Sequence, residues 1–189
     1  MSPAAKKYIS KELWLDKALK QLGKKGNLGL TIEDLSKAVG VTKGSFYWHF
    51  KNRDDFVRSL FDHWAELSTT NVIEHVSRVQ GSASDRLLAL TRFLIEKDIC
   101  KYELSIRGWV QIYPKLIPLL EQVDLRRYQY VANLFQELGF NGDDQAMRVR
   151  TFLVFYGLET SLYPNQTMKE RLVSMTLRHQ CLTEAKHEN

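Results

Sequence analysis

Apolar residues along this chain recur three and four positions apart, the period of an amphipathic helix, almost from end to end. Leu15, Ala18, Leu19 and Leu22 make one stripe and predict a first helix. The run GKKGNLG at 23–29 is expected to stop it, because glycines favour helix ends. Thr31 stands at the cap of a second helix, with Asp34 in the capping-box position and Leu35, Ala38 and Val39 as its buried face. Gly40 predicts a tight turn. Thr42 caps a short third helix, and Val41 and Phe46 have the spacing of a hydrophobic staple across that cap. Asn52 caps a fourth helix, with Asp54 and Asp55 favourable in its first turn and Phe56, Leu60, Trp64 and Leu67 recurring along one face.

The pattern continues beyond a loop, GSAS at 81–84. Leu87, Leu90, Leu94 and Ile95 start a fifth helix, and Pro114 and Pro118 interrupt the register. A long helix lies between Pro118 and Gly139, with Leu120, Val123, Tyr130, Leu134 and Leu138 inward and a glycine-capped end at LGF, 138–140. Two more helices follow at about 143–163 and 167–184, separated by Pro164 and Asn165. No alternating strand pattern and no internal repeat is visible. The expected fold class is all-α, with about nine helices.

Composition adds a bound. The 189 residues are 44% hydrophobic and 26% charged, which fits a folded chain of one ordinary or two small domains. Without a run of about 18 apolar residues, no membrane span is expected. MSPAAKKYIS lacks the apolar centre of a secretory signal. Cys100 and Cys181 are far apart and lack metal-ligand spacing, so they read as reduced cysteines of a cytoplasmic protein.

Charge changes the picture more. Residues 1–60 hold ten lysines and two arginines against six acids, whereas residues 61–189 hold fifteen bases against sixteen acids. The positive field is local to the first third, and a local positive field attracts polyanions by displacing their counterions. A basic surface that only aids solubility is the plainer reading of charge alone.

The order helix, glycine turn, short helix over 31–49 decides between them, because it is that of a helix-turn-helix, whose second helix enters the DNA major groove. Gly44 and Ser45 fall in that helix's first turn and let the backbone approach DNA closely. Thr42 offers a hydroxyl, and Lys43 reaches a phosphate or a guanine edge. Phe46 and Phe50, four apart, belong to the small core. Tyr47 and His49 carry donors suited to phosphate oxygens, Trp48 offers a flat surface to sugars or thymine methyls, and Lys51 adds a charge at the backbone.

The segment LTIEDLSKAVGVTKGSFYWHFKNRDDFVRSLF, residues 30–61, closely resembles the DNA-binding region of the TetR (tetracycline-repressor) family. The resemblance rests on Thr31, Ala38, Gly40, Val41, Thr42, Gly44, Phe46, Tyr47, His49, Phe50 and Lys51. Phe46 stands where the family more often has an aliphatic residue, and Trp48 is bulkier than the usual occupant. The resemblance implies a homodimeric transcriptional regulator, usually a repressor released from an inverted-repeat operator in double-stranded DNA by a small-molecule effector. It implies a helix-turn-helix domain over 1–60, with Thr31, Thr42, Lys43, Gly44, Ser45, Tyr47, Trp48, His49 and Lys51 toward DNA, and a helical ligand-binding and dimerisation domain over 61–189. A DNA-binding protein without inducer, acting architecturally or through a protein partner, is the alternative.

Within 61–189, Phe93, Trp109, Tyr113, Tyr128 and Phe135 are candidates to line a ligand cavity, since apolar walls with a few polar tips suit small molecules; core packing is the competing role for each ring. Arg107 and Asp124 are expected to pair. TFLVFYGLETSLY, 151–163, is apolar on more than one side; with the resemblance, this places Phe152, Phe155 and Tyr156, together with Leu172 of the last helix, at a dimer interface, an intrachain core helix being the alternative. GKKG at 23–26 could suggest a KH-type clamp, but that module needs a sheet. His179 and Cys181 do not make a metal site. No acid–base or nucleophile grouping supports catalysis, and no cofactor is expected.

Overall fold

The computed structural model describes residues 9–26 and 30–184. The N-terminal stretch before Ile9, and Asn27, Leu28 and Gly29 of the predicted helix stop, lie outside the described residues. The described residues are helical and joined by turns, with no strand among them. The chain divides into two compact units, and the division falls between Trp64 and Ala65.

The first unit begins with α1 (Lys11–Lys25), which buries Trp14 together with the predicted Leu15, Ala18, Leu19 and Leu22. Ser10 caps it by accepting from the Leu13 N–H, and Gly26, at φ 61°, ends it. Gly23 and the two lysines of GKKG are therefore helical. In α2 (Ile32–Val39) Thr31 Oγ1 accepts the Asp34 N–H at 3.1 Å and donates to the Asp34 carboxylate at 2.8 Å. Leu35 is buried, but so is Ser36, while Ala38 and Val39 are only half-buried. Gly40 takes the left-handed conformation, φ 80°, and its N–H and that of Val41 close the end of α2 on the Ser36 carbonyl. A side chain is costly in that conformation, so the turn requires this glycine. α3 (Lys43–His49) and α4 (Arg53–Ala65) complete the helix-turn-helix unit.

Its core is aromatic. Phe46 packs edge-on to Trp14, with ring centres 5.6 Å apart, and lies 4.9 Å from Phe50 and 5.3 Å from Phe56. All four rings have no measurable exposure. Such pairs contribute about 0.5–1.5 kcal/mol each beyond their burial. Asn52 caps α4 as expected, accepting from the Asp55 N–H at 2.9 Å.

The second unit holds a π-helical turn (Glu66–Thr70), α5 (Asn71–Ser77), α6 (Ala83–Glu96), α7 (Glu103–Val110), α8 (Ile117–Glu137), α9 (Gly142–Leu162) and α10 (Met168–Thr183), with short 3-10 turns at Ile99–Tyr102 and Pro114–Leu116. The π turn rotates the register, so Ser68 and Thr69 are buried and Leu67, expected inward, is 40% exposed. Pro118 does not break the chain; it sits in the first turn of α8, where its missing N–H has no helical partner to lose. On α8 the inward residues are Leu120, Val131, Leu134 and Phe135, whereas Val123, Tyr130 and Leu138 are half-buried. The predicted LGF terminus forms, with Gly139 at φ 92° and the Phe140 N–H on the Phe135 carbonyl. Capping boxes at Ser82/Asp85 and Thr167/Glu170 start α6 and α10. No helix among the described residues is long and apolar enough to cross a membrane.

Candidate nucleic-acid interface

On α3 the aromatic run divides by helical angle. Phe46 and Phe50 point into the core, while Tyr47 is 59% and Trp48 87% exposed. Thr42, Lys43 and Gly44 are exposed, and Ser45 and His49 are half-buried. Thr42 occupies the cap position, but its side chain makes no capping hydrogen bond. A Cβ added at Gly44 would meet only Thr42 Oγ1, at 3.7 Å, an ordinary contact. Glycine costs a helix about 0.5–1 kcal/mol relative to alanine, and no crowding inside the protein requires it here. The smooth leading edge therefore suits something outside the protein.

The flanking charges are arranged around that edge. Thr31 and Lys51 are exposed. Lys51 donates its backbone N–H to Asp55, leaving its ammonium to the surface. The Lys43 ammonium pairs with Glu33 of α2, and that hydrogen bond holds the Glu33 carboxyl below its ordinary pKa. Sequence spacing does not reveal Glu33, because the pair bridges two helices rather than two turns of one. Nor does it reveal Arg53, which donates to the Leu30 carbonyl and lies over the Phe56 ring, tying the start of α4 to the chain before α2.

In the second unit a cavity of about 60 Å³ lies among the π turn, α5, α6, α8 and α9. That is roughly four to six water-sized volumes. Apolar side chains such as Val72, Leu90, Val131 and Phe152 form most of its wall; Ser68, Thr69, Cys100, Arg127 and Tyr130 supply the polar part. None of the five rings expected to line a cavity lines this one. Phe135 is fully buried and packs on Phe140, Trp109 packs edge-on to Tyr113, Phe93 stacks on His75, and Tyr128 packs half-buried against the core. Phe93 also lines a separate, more open pocket with His75, Leu88 and Arg92, while the other four rings pack on neighbours.

Arg107 does pair with Asp124, in a two-pronged contact at 2.9 and 2.5 Å that raises the Arg107 pKa. The pair belongs to a larger network, for Arg107 also donates to Glu103, 2% exposed, which in turn receives Arg127. A second network joins Glu159 to Arg171 and Arg178. Burial, and then the Glu103 charge, pushes the Cys100 thiol up to about 12. His179 meets Ser84 at 2.8 Å, and no metal-binding group of His, Cys, Asp and Glu occurs among the described residues.

The assignment of Phe152 and Tyr156 to a dimer interface is corrected. They are 2% and 3% exposed and packed into their own unit's core. Phe155 and Leu172 are half-buried. The most exposed apolar residues of α9 and α10 are Val154, Leu162, Val173 and Leu177, at 59–73%.

Residues 15–60, which contain this interface, match the family model described as bacterial regulatory proteins, tetR family. The transcriptional regulator AcrR of Shigella flexneri is 35% identical over 85 residues, 43% of this chain and 36% of that protein. The chain spans between about a quarter and about a half of the length of the curated relatives it matches. Two solved structures share the fold across most of the chain. A transcriptional regulator from Rhodococcus sp. Rha1 has a TM-score of 0.70 at 13% identity, covering 92% of this chain and 96% of that one. FadR from Bacillus subtilis, solved with stearoyl-CoA, has a TM-score of 0.67 at 15% identity, covering 92% and 98%. The helix-turn-helix that presents Gly44, Tyr47 and Trp48 thus lies within the segment that matches the tetR family of bacterial regulatory proteins.

Proposed function

We propose that this chain is a homodimeric, sequence-specific DNA-binding transcriptional regulator, a repressor released from an inverted-repeat operator by a small effector. The observation that carries the DNA role is the leading edge of α3, bare at Gly44 and followed by exposed Tyr47 and Trp48 over a closed aromatic core. In the proposed complex α3 enters the major groove. Thr31, Thr42, Tyr47, His49 and Lys51 hold phosphate, and Lys43 and Trp48 meet base edges. Lys43 exchanges Glu33 for the DNA.

The exposed apolar face of α9 and α10 supports the dimer, since outward Val154, Leu162, Val173 and Leu177 are covered when the same face of a second copy packs on them. A two-fold dimer presents two α3 helices about 34–36 Å apart, one turn of DNA. The cavity supports the effector. An effector shifts the operator-binding equilibrium only by its difference in affinity between the two states, about 1–3 kcal/mol in typical cases.

Selection from random duplex DNA tests this reading. It is expected to enrich an inverted repeat whose half-sites are one helical turn apart. Recovery of no preferred sequence, or of a single half-site, would overturn it. Light scattering at micromolar concentration is expected to give a dimer, and Val173→Glu with Leu177→Glu a monomer.

A further inference from the structure

Arg127 is the charged residue among the described residues that line the cavity, and an arginine beside apolar walls suggests at first an anionic ligand. Its hydrogen bonds argue otherwise. A guanidinium has five N–H donors. Nε donates to Thr69 Oγ1 at 2.8 Å. Nη1 donates to both Glu103 carboxylate oxygens, each at 3.1 Å. Nη2 donates to Ser68 Oγ at 2.8 Å and to the Ser68 carbonyl at 3.4 Å. Every donor ends on the protein, and the charge is balanced by Glu103, itself 2% exposed. An anion entering here would have to displace those bonds and lie close to a buried carboxylate. Cys100 adds no charge, because burial keeps it a thiol.

Tyr130 is the opposite case. It lines the same cavity, and its hydroxyl is buried without a hydrogen-bond partner. A buried O–H without an acceptor is unfavourable, so it favours any ligand that supplies one. The rest of the wall is apolar and the volume small. The small-residue position Gly157 completes it on α9.

We propose that the cavity takes a compact, uncharged, mainly apolar molecule with one hydrogen-bond acceptor, such as a ketone or ester carbonyl, which accepts a hydrogen bond from the Tyr130 hydroxyl. The role of this molecule as effector rests on the function proposed above; its chemical class does not. Arg127 then acts on the ligand only by shaping the wall, since it holds Ser68 and Thr69 of the π turn in place.

Three probes of nearly equal size separate the possibilities: cyclopentanone, its isosteric alkene methylenecyclopentane, and cyclobutanecarboxylate. Their dissociation constants are read by amide NMR titration of the full chain. The ketone is expected to bind threefold to tenfold tighter than the alkene, the range that one neutral hydrogen bond supplies, and the carboxylate weakest. In Tyr130→Phe the ketone's advantage over the alkene is expected to vanish while the melting temperature holds or rises, because an unpaired hydroxyl has been removed. Gly157→Ala places a methyl group 4.0 Å from Glu103 Cγ with no nearer atom, so it folds, and it is expected to weaken ketone and alkene alike by taking cavity volume. Carboxylate binding as tight as ketone, no preference for ketone over alkene, the same preference in Tyr130→Phe, or no binding by any probe overturns the proposal. Operator affinity measured in the same samples keeps the two readings apart. If the ketone binds with this profile and operator affinity stays constant, the ligand class stands and the effector role falls.

Discussion

The interiors of the two units are built on different principles. The first closes on Trp14, Phe46, Phe50 and Phe56, uncharged rings packed edge-on or tilted, and its Lys43–Glu33 and Arg58–Asp62 pairs lie on the surface. The second carries Glu103, Glu159, Arg148 and Arg171 in its interior, none more than 6% exposed, beside a cavity. Apolar burial contributes whatever the neighbouring geometry, whereas a buried ion pair contributes only while its partners stay in place. A unit that must hold one helix in register against a groove suits the first kind of interior. A unit with more than one arrangement suits the second, because moving one partner changes the energy of the whole network.

The largest effect that sharpens this contrast is expected from Phe46→Ala. It removes the centre of the aromatic core and should cost about 3–5 kcal/mol in urea denaturation, with operator binding falling alongside. Glu103→Ala comes next, at about 3 kcal/mol, because it leaves Arg127 and one donor of Arg107 without a carboxylate. Replacing Glu103 and Arg127 together by leucine should recover most of that loss. A double variant as unstable as the single one would break the comparison, since the pair would then contribute like the aromatic core. Smaller still, Tyr47→Phe should weaken operator binding by about 1 kcal/mol, roughly fivefold, on all sequences alike. Its melting temperature should not move, because Tyr47 is exposed. Lys43→Ala should instead change which operator is preferred in binding competition. A sequence preference altered by Tyr47→Phe but not by Lys43→Ala would reverse the two roles.

The smallest effect concerns pH. Burial lowers the His179 pKa below its ordinary 6.5, against an opposing pull from Asp85. Between the folded and unfolded values the unfolded chain binds the extra proton. Stability is therefore complete above about pH 6.5 and declines as pH falls below it toward the folded value. His179→Gln should flatten that part of a stability-against-pH curve for the second unit.

The helix-turn-helix was legible because its determinants are short-range. The Thr31 and Asn52 caps act three residues away, Gly40 acts on its own turn, and the spacing of Phe46 and Phe50 fixes which side of α3 is inward. The second unit was legible in its helices and in the Arg107–Asp124 pair, but less so in its faces. α9 is apolar on several sides, and only packing against α8, α7 and the 3-10 turn at Ile99–Tyr102 decides that Phe152 and Tyr156 turn inward while Val154 and Leu162 turn out. Glu103 stood in the ELSIRGW segment, one helical turn before Arg107, and that spacing could have suggested it. The cavity gave no such hint, because its polar side depends on a π turn that shifts Ser68 and Thr69 off the ordinary register.

One surface residue also makes this molecule readable by light. Of its four tryptophans, Trp14, Trp64 and Trp109 are at most 1% exposed, whereas Trp48 stands out on α3 at 87%. An aqueous quencher such as iodide will act chiefly on that single indole. Loss of quenching on adding duplex DNA would then report occupancy of α3 directly, without a dye and on the unaltered chain.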